Sequence, residues 1–303
     1  MRLHVVHETR YRYASPVLLS QQLLHLTPRA PPWQTVHTHR IQVEPTAGEF
    51  DEHEDYYGNR TVHVLLAAPH EELLVHAESE VEVAPREKAA LAAPTVPWEA
   101  LRERLHSLKE PPLLEPAAFL YESPHIETWR EITDYAAKSF GRGRGMLECA
   151  LDLARRIYKD VTFDKKATSI ATPLRQVVKQ RRGVCQDFAH LMIGCVRSLG
   201  LPGRYVSGYI LTLPPPGRPR RVGADASHAW VSVYCGERAG WVDIDPTNDC
   251  LVDDEHVTLG WGRDFGDVTP MRGVILGGGE QALEVRVTVT PRGEAPIESP
   301  ANG

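Results

Sequence analysis

Nowhere in this chain does an apolar run approach the roughly 20 residues that a helix needs to cross a bilayer. The opening stretch, MRLHVVHETRYRYASPVLLSQQLL, scatters His, Arg and Glu where a secretion signal needs an unbroken apolar segment, so a soluble, cytoplasmic protein is expected. Basic residues are not in excess: 34 Lys and Arg stand against 40 Asp and Glu. A net charge of −6 leaves no electrostatic footprint for nucleic acid. Cysteine is scarce, and an odd count of five without tight spacing makes a poor disulfide framework, so reduced thiols are expected. No internal repeat with a period of 20–50 residues is visible. What remains, at 42% hydrophobic and 24% charged residues, is the composition of an ordinary globular protein able to bury a core.

The 303 residues are enough for two domains. Residues 1–84 alternate apolar with polar side chains, as in Leu3 and Val5, Ile41 and Val43, Val81 and Val83, and are cut by turn signals such as Gly58-Asn59. This predicts an antiparallel β domain. Residues 85–116, rich in Ala, Pro and charge with a short helical stretch at Trp98–Leu108, are expected to be a linker crossed by few contacts. From 117 to 291 a second domain is expected, with apolar spacing of three and four over Glu127–Phe140, Met146–Tyr158 and Pro173–Lys179 predicting helices. Strand-like alternation follows over Arg204–Leu213, Ala229–Cys235, Trp241–Ile244 and Ala282–Val289, and residues 292–303 read as a polar tail. The fold class is therefore α+β, helices first and antiparallel sheet second.

The most informative stretch is Arg181-Arg182-Gly183-Val184-Cys185-Gln186-Asp187-Phe188-Ala189-His190. Gly183 ends one helix and an amphipathic helix begins at about Cys185, running to Leu199 before Gly200 and Pro202. A thiol on the first turn meets unsatisfied backbone N–H groups and the positive end of the helix dipole, which favour the thiolate and can hold a developing oxyanion. An isolated cysteine is usually a small buried core residue. Two later motifs reverse those odds: Ser227-His228-Ala229-Trp230 puts a histidine at the mouth of a strand, and Asp243-Ile244-Asp245-Pro246-Thr247-Asn248 ends the next strand in a carboxylate. A hairpin would set His228 beside Asp245.

The order of GVCQDFAH, SHAW and DIDPTN closely resembles the transglutaminase-like core of many bacterial proteins. Ala167–Leu174 and Arg204–Tyr209 look like that family too, and His7–Tyr13, Leu26–Arg29 and Asp55–Asn59 are similar to the β domain that precedes the core in bacterial members. The resemblance implies a papain-like α+β core with a catalytic triad: Cys185 as nucleophile, His228 as general base and acid, and Asp245 orienting the imidazole. Those residue types suit acyl transfer on their own terms. The implied activity is that of a cysteine peptidase or acyltransferase on a peptide or isopeptide amide, with a peptide or protein as partner and neither metal nor cofactor. Hydrolysis is favoured because no amine-binding feature is visible. The competing class is a non-catalytic peptide-binding or assembly module that keeps the fold.

Other residues fit less specific roles. Arg218, Arg220 and Arg221 stand in a Pro-rich loop before His228, either simply solvated or facing an acidic peptide or carboxylate. Trp230 and Trp241 flank His228 and Asp245 in sequence; they either shield the pair from water and touch substrate, Trp230 being the candidate, or pack. Cys185, His190 and Cys195 point too far apart on one helix to share a zinc, and His190 goes to the core or helix surface. Nine of the 14 histidines fall in the first 76 residues but lack any fixed ligand spacing, and read as β-surface residues.

Overall fold

The computed structural model describes residues 1–86, 94–107, 111–212, 223 and 227–294. Its first 83 residues form strands β1 (Arg2–Leu24), β2 (Gln34–Glu44), β3 (Glu49–Glu54), β4 (Arg60–Leu66) and β5 (His70–Val83), in the antiparallel order β2-β5-β1-β4-β3. The period-two pattern is clearest in β1, where Leu3, Val5, His7 and Thr9 point inward and their neighbours outward. Helices α1 (Trp98–Ser107), α2 (Leu114–Ala117), α3 (Arg130–Ala137) and α4 (Met146–Asp160) follow, then strand β6 (Thr162–Phe163), α5 (Leu174–Gln180) and strand β7 (Arg182–Gly183). Helix α6 (Cys185–Ser198) leads into β8 (Gly203–Ile210), β9 (Ser227–Tyr234), β10 (Trp241–Asp245), β11 (Cys250–Leu251) and β12 (His256–Gly262), ordered β11-β10-β9-β8-β12. The fold is thus α+β, and the three helices expected from apolar spacing all form, the first of them shorter than its periodicity suggests and the second running two residues further.

Two expectations about domain limits are corrected. The last strands, β13 (Met271–Gly277) and β14 (Gln281–Pro291), do not join the second sheet but pair with the two halves of β1. Alternation marks Ala282–Val289 as a strand and says nothing about its partner; Val287 and Val289 settle beside Leu3 and Val5 of the first sheet. The described part of the 85–116 segment is no bare linker either. Leu101, Leu105 and Leu113 are fully buried in the helical core, the Trp98 indole N–H donates to the Gly141 carbonyl at 3.0 Å, and the Leu147 N–H donates to the Thr95 hydroxyl at 3.0 Å.

The two sheets share an apolar layer. Leu3, Val5, Val81, Val83, Val287 and Val289 meet Tyr209, Leu211, Val257 and Leu259 of the second domain. Side-chain amides complete the contact as though they were strand backbone. Asn59 donates to the Trp261 carbonyl (2.8 Å) and accepts from the Trp261 N–H (3.0 Å), while Gln34 does the same with Thr258, both at 2.8 Å. Arg29 holds Asn59 at 2.6 Å and lies over the Trp261 ring at 3.5 Å. A chain lacking residues 1–86 therefore exposes this layer and leaves β13 and β14 without a partner. It is expected to be insoluble where the full chain is soluble; a monodisperse, cooperatively melting fragment 94–294 would contradict the shared core.

Candidate active site

Cys185 is the first residue of α6, and the local sequence explains why the helix starts there. Arg181 closes α5 in a left-handed conformation (φ 51°), and β7 then pairs in parallel with β6. The Asp187 carboxylate, three residues into the next helix, accepts the Val184 N–H at 2.8 Å and the Thr168 hydroxyl at 2.6 Å. Burial pushes Asp187 up from the usual carboxylate range, against those two donors. Gly183 makes this return possible, since a Cβ there would sit 2.5 Å from the Asp187 Oδ2. The Val184 carbonyl accepts the N–H groups of Asp187 (2.8 Å) and Phe188 (3.1 Å), the first bonds of the helix, so the Cys185 N–H lies ahead of them in the first turn. The thiol is partly exposed, unlike those of Cys149, Cys195 and Cys235.

The structure brings His228 and Asp245 together on the sheet that packs against helix α6. They sit on the paired strands β9 and β10, and His228 Nε2 lies 2.6 Å from Asp245 Oδ2. The Cys185 sulfur is close enough to favour the charged form of the ring. Burial alone would lower the His228 pKa; the Asp245 bond, the Cys185 bond and both charges outweigh it and push it up to about 10. Asp245 is fully buried, which would raise its pKa, but donors from His228, His256 and Asn248 hold it far below the usual carboxylate range. Its Oδ1 accepts the N–H groups of Thr247 (2.8 Å) and Asn248 (3.3 Å). Its Oδ2 accepts from the Asn248 amide (2.6 Å) and lies 3.4 Å from His256 Nε2. Sequence reading missed Asn248, His256 and Asp187. Only Asp-Pro-Thr-Asn carried a signal, because a turn asparagine just after a buried carboxylate is placed to cap it.

His228, Asp245 and His256 also form the one group of potential metal ligands found among the described residues, with ligand atoms within 4.8 Å of one another. Their chemistry fits a hydrogen-bonded relay better than a metal cage, because both carboxylate oxygens are already engaged.

Trp230 is corrected as a substrate residue. It is completely buried, packs against Val206, Val252 and Trp261, and underlies His228 with ring centres 6.2 Å apart. Strand alternation puts 228 and 230 on one face, so the tryptophan floors the histidine instead of reaching solvent. Its ring passes over β8 at Gly208, where a Cβ would lie 2.5 Å from the indole and 2.1 Å from the Val257 carbonyl oxygen. Gly208→Ala is accordingly expected to cost at least the ~1–3 kcal/mol of an overpacked core, seen as a lower urea midpoint, together with loss of Cys185 reactivity. Trp241 packs on Phe119 and Tyr234 at the far end of β10. Arg218, Arg220 and Arg221 lie outside the described residues. His190 is buried and accepts the Phe265 N–H at 3.2 Å, in keeping with a core role. Of the amino-terminal histidines, His7, His25 and His70 are buried and not on the β surface. His7 is held by the Tyr209 hydroxyl (2.8 Å) and Thr9 (3.1 Å).

Helices packed on an antiparallel sheet, with Cys185 opening one helix and His228 bonded to the buried Asp245 on paired strands, define a transglutaminase-like α+β core. Family comparison agrees. Residues 3–82 match the bacterial transglutaminase-like N-terminal region and residues 133–246 match the transglutaminase-like superfamily. The uncharacterized protein Rv2569c of Mycobacterium tuberculosis is 39% identical over 300 residues, covering 96% of this chain and 93% of its own. ML0607 of Mycobacterium leprae is 32% identical over 292 residues, covering 95% and 98%. The chain belongs to the transglutaminase-like superfamily. A solved structure from Cytophaga hutchinsonii, described as a candidate cysteine protease, superposes with a TM-score of 0.72 at 21% identity over 98% of this chain and 93% of that one, which shows the shared fold.

Proposed function

We propose that this protein is a thiol-dependent acyl-transfer enzyme acting on peptide or isopeptide amides, with Cys185, His228 and Asp245 as its catalytic triad and hydrolysis as its usual outcome. The observation that carries the reading is the bond of His228 to the buried Asp245 at 2.6 Å, with a thiol that opens a helix acting on the same ring. In the reaction the Cys185 sulfur attacks the amide carbonyl carbon and the Cys185 N–H donates to the developing oxyanion. His228 then protonates the departing amine, leaving a thioester, and water activated by the same imidazole releases the acid and the free thiol. An amine in place of that water gives transamidation through the same acyl-enzyme.

The partner is a peptide or protein; neither nucleic acid nor membrane is assigned a role. No helix among the described residues is long and apolar enough to cross a membrane. We place the enzyme in the cytoplasm, supported by five free cysteines with no disulfide among them. Intact-mass measurement with candidate peptides tests the whole reading. An acyl adduct mapped to Cys185 and absent from Cys185→Ala is the expected result. Binding of the same peptides without any adduct or turnover would favour a binding module instead.

A further inference from the structure

We infer that His256 is a positioning residue for this site: it donates Nε2–H to the same Asp245 oxygen that receives His228, and thereby fixes the carboxylate on which the imidazolium depends. The inference deepens the triad reading above and rests on it.

His256 opens β12, two strands away from His228 in the order β10-β9-β8-β12. On the intervening β8, Gly208 pairs with His228 on one side and Thr258 on the other, so no side chain at that position separates β9 from the start of β12. The imidazole is buried, 3% exposed, and edge-on to Trp230 with ring centres 5.3 Å apart at 81°. Its Nε2 lies 3.4 Å from Asp245 Oδ2. An ionised carboxylate can only accept, so the nitrogen facing it carries the hydrogen. In a neutral ring the other nitrogen is then bare.

That second nitrogen, Nδ1, is buried with no hydrogen-bond partner among the described residues. Leaving such a group unpaired costs about 1–3 kcal/mol, and a phenylalanine of similar shape would fill the space without that loss. Packing therefore does not account for a histidine here, whereas its Nε2–H does. The remaining donors to Asp245 besides His228 come from Thr247 and Asn248, in the turn immediately after it, where Asp249 is left-handed (φ 51°). His256 supplies the donor from a different strand. It constrains the carboxylate from the sheet side, so the Oδ2 that meets His228 does not depend on the turn alone.

His256→Phe keeps the ring contact with Trp230 and removes the donor; His256→Gln restores an N–H and cannot titrate as imidazole does. The rate of Cys185 alkylation by iodoacetamide is expected to fall about tenfold in the Phe variant, with no loss of melting temperature, and to recover to within about threefold of wild type in the Gln variant. A Phe variant that reacts like wild type overturns the inference. Should the Phe variant fail to fold, nitrogen NMR of the wild-type protein labelled with ¹⁵N-histidine decides. A hydrogen on Nε2 of His256 is expected, and a ring that carries its hydrogen on Nδ1 alone overturns the inference. An unreactive Cys185 in wild type overturns the triad reading along with it, whereas reactive wild-type and Phe proteins overturn the role of His256 alone.

Discussion

Iodoacetamide at about pH 6 is expected to label Cys185 roughly a hundredfold faster than any other thiol of the folded protein. Ordinary thiols, with pKa near 8.5, are less than ~1% ionised at that pH, and the thiolate is the form that reacts. The other four are disfavoured further. Burial pushes Cys149 up to about 11 and Cys195 up to about 12, and lifts Cys235 higher still. Cys250, the other partly exposed thiol, is pushed up to about 12 by burial and by nearby carboxylates led by Asp245. Cys185 has the opposite surroundings: first-turn N–H groups and an imidazole held in its charged form up to about pH 10. His228→Ala removes the cation, so the preference should shrink to a few-fold and turnover should fall by about 10³ or more. Peptide mapping of the alkylated protein over time reads both. Equal labelling of Cys185 and Cys250 in wild type would remove the nucleophile from the proposed mechanism.

Much of this site was legible because it is built from local signals. The helix start at Cys185 follows from Gly183 and the change of periodicity after it, and the pairing of His228 with Asp245 follows from two strand-like stretches separated by a turn. What escaped depends on contacts between segments distant in sequence. His256 is an unmarked residue at a strand start, and only the sheet order brings it to Asp245. Trp230 read as a substrate contact because sequence neighbourhood resembles spatial neighbourhood; the strand's alternation, applied strictly, already puts it on the face beneath His228. The return of β13 and β14 to the first sheet was hidden for the same reason, since alternation specifies which face is apolar and not which strand is the partner. The segment around Trp98 misled through composition: Ala and Pro suggested a linker, while Leu101, Leu105 and Leu113 are placed to bury against the helices.

Asp245→Asn should separate the orientation of the imidazole from the nucleophilicity of the sulfur. Burial, the largest influence on His228, lowers its pKa, and the Asp245 bond is the first of the influences that reverse it to about 10. With an uncharged amide in that position the imidazolium is lost at a lower pH, so the basic limb of the Cys185 alkylation profile should move down with it. The amide also presents an N–H as readily as a carbonyl, and an N–H facing Nε2 selects the ring tautomer with its hydrogen directed at sulfur. Turnover is expected to drop by about 10³–10⁴, as for a histidine held in the wrong tautomer, while alkylation at pH 6 falls far less because part of the imidazolium survives there.

The same couple sets a stability window. A histidine whose folded pKa lies above its ordinary 6.5 contributes fully below pH 6.5, and that contribution is lost as the pH rises toward 10. Asp245, held low, contributes fully above the ordinary carboxylate pKa near 3.8, and its share is lost only as acid overtakes the depressed value. The pair is therefore at full strength between about pH 4 and pH 6.5. Urea midpoints of wild type should decline from pH 6.5 toward pH 10, and the decline should be shallower in Asp245→Asn. Parallel profiles for the two proteins would mean that the charge of Asp245 does not hold His228 protonated, and the thiolate–imidazolium pair would lose its basis.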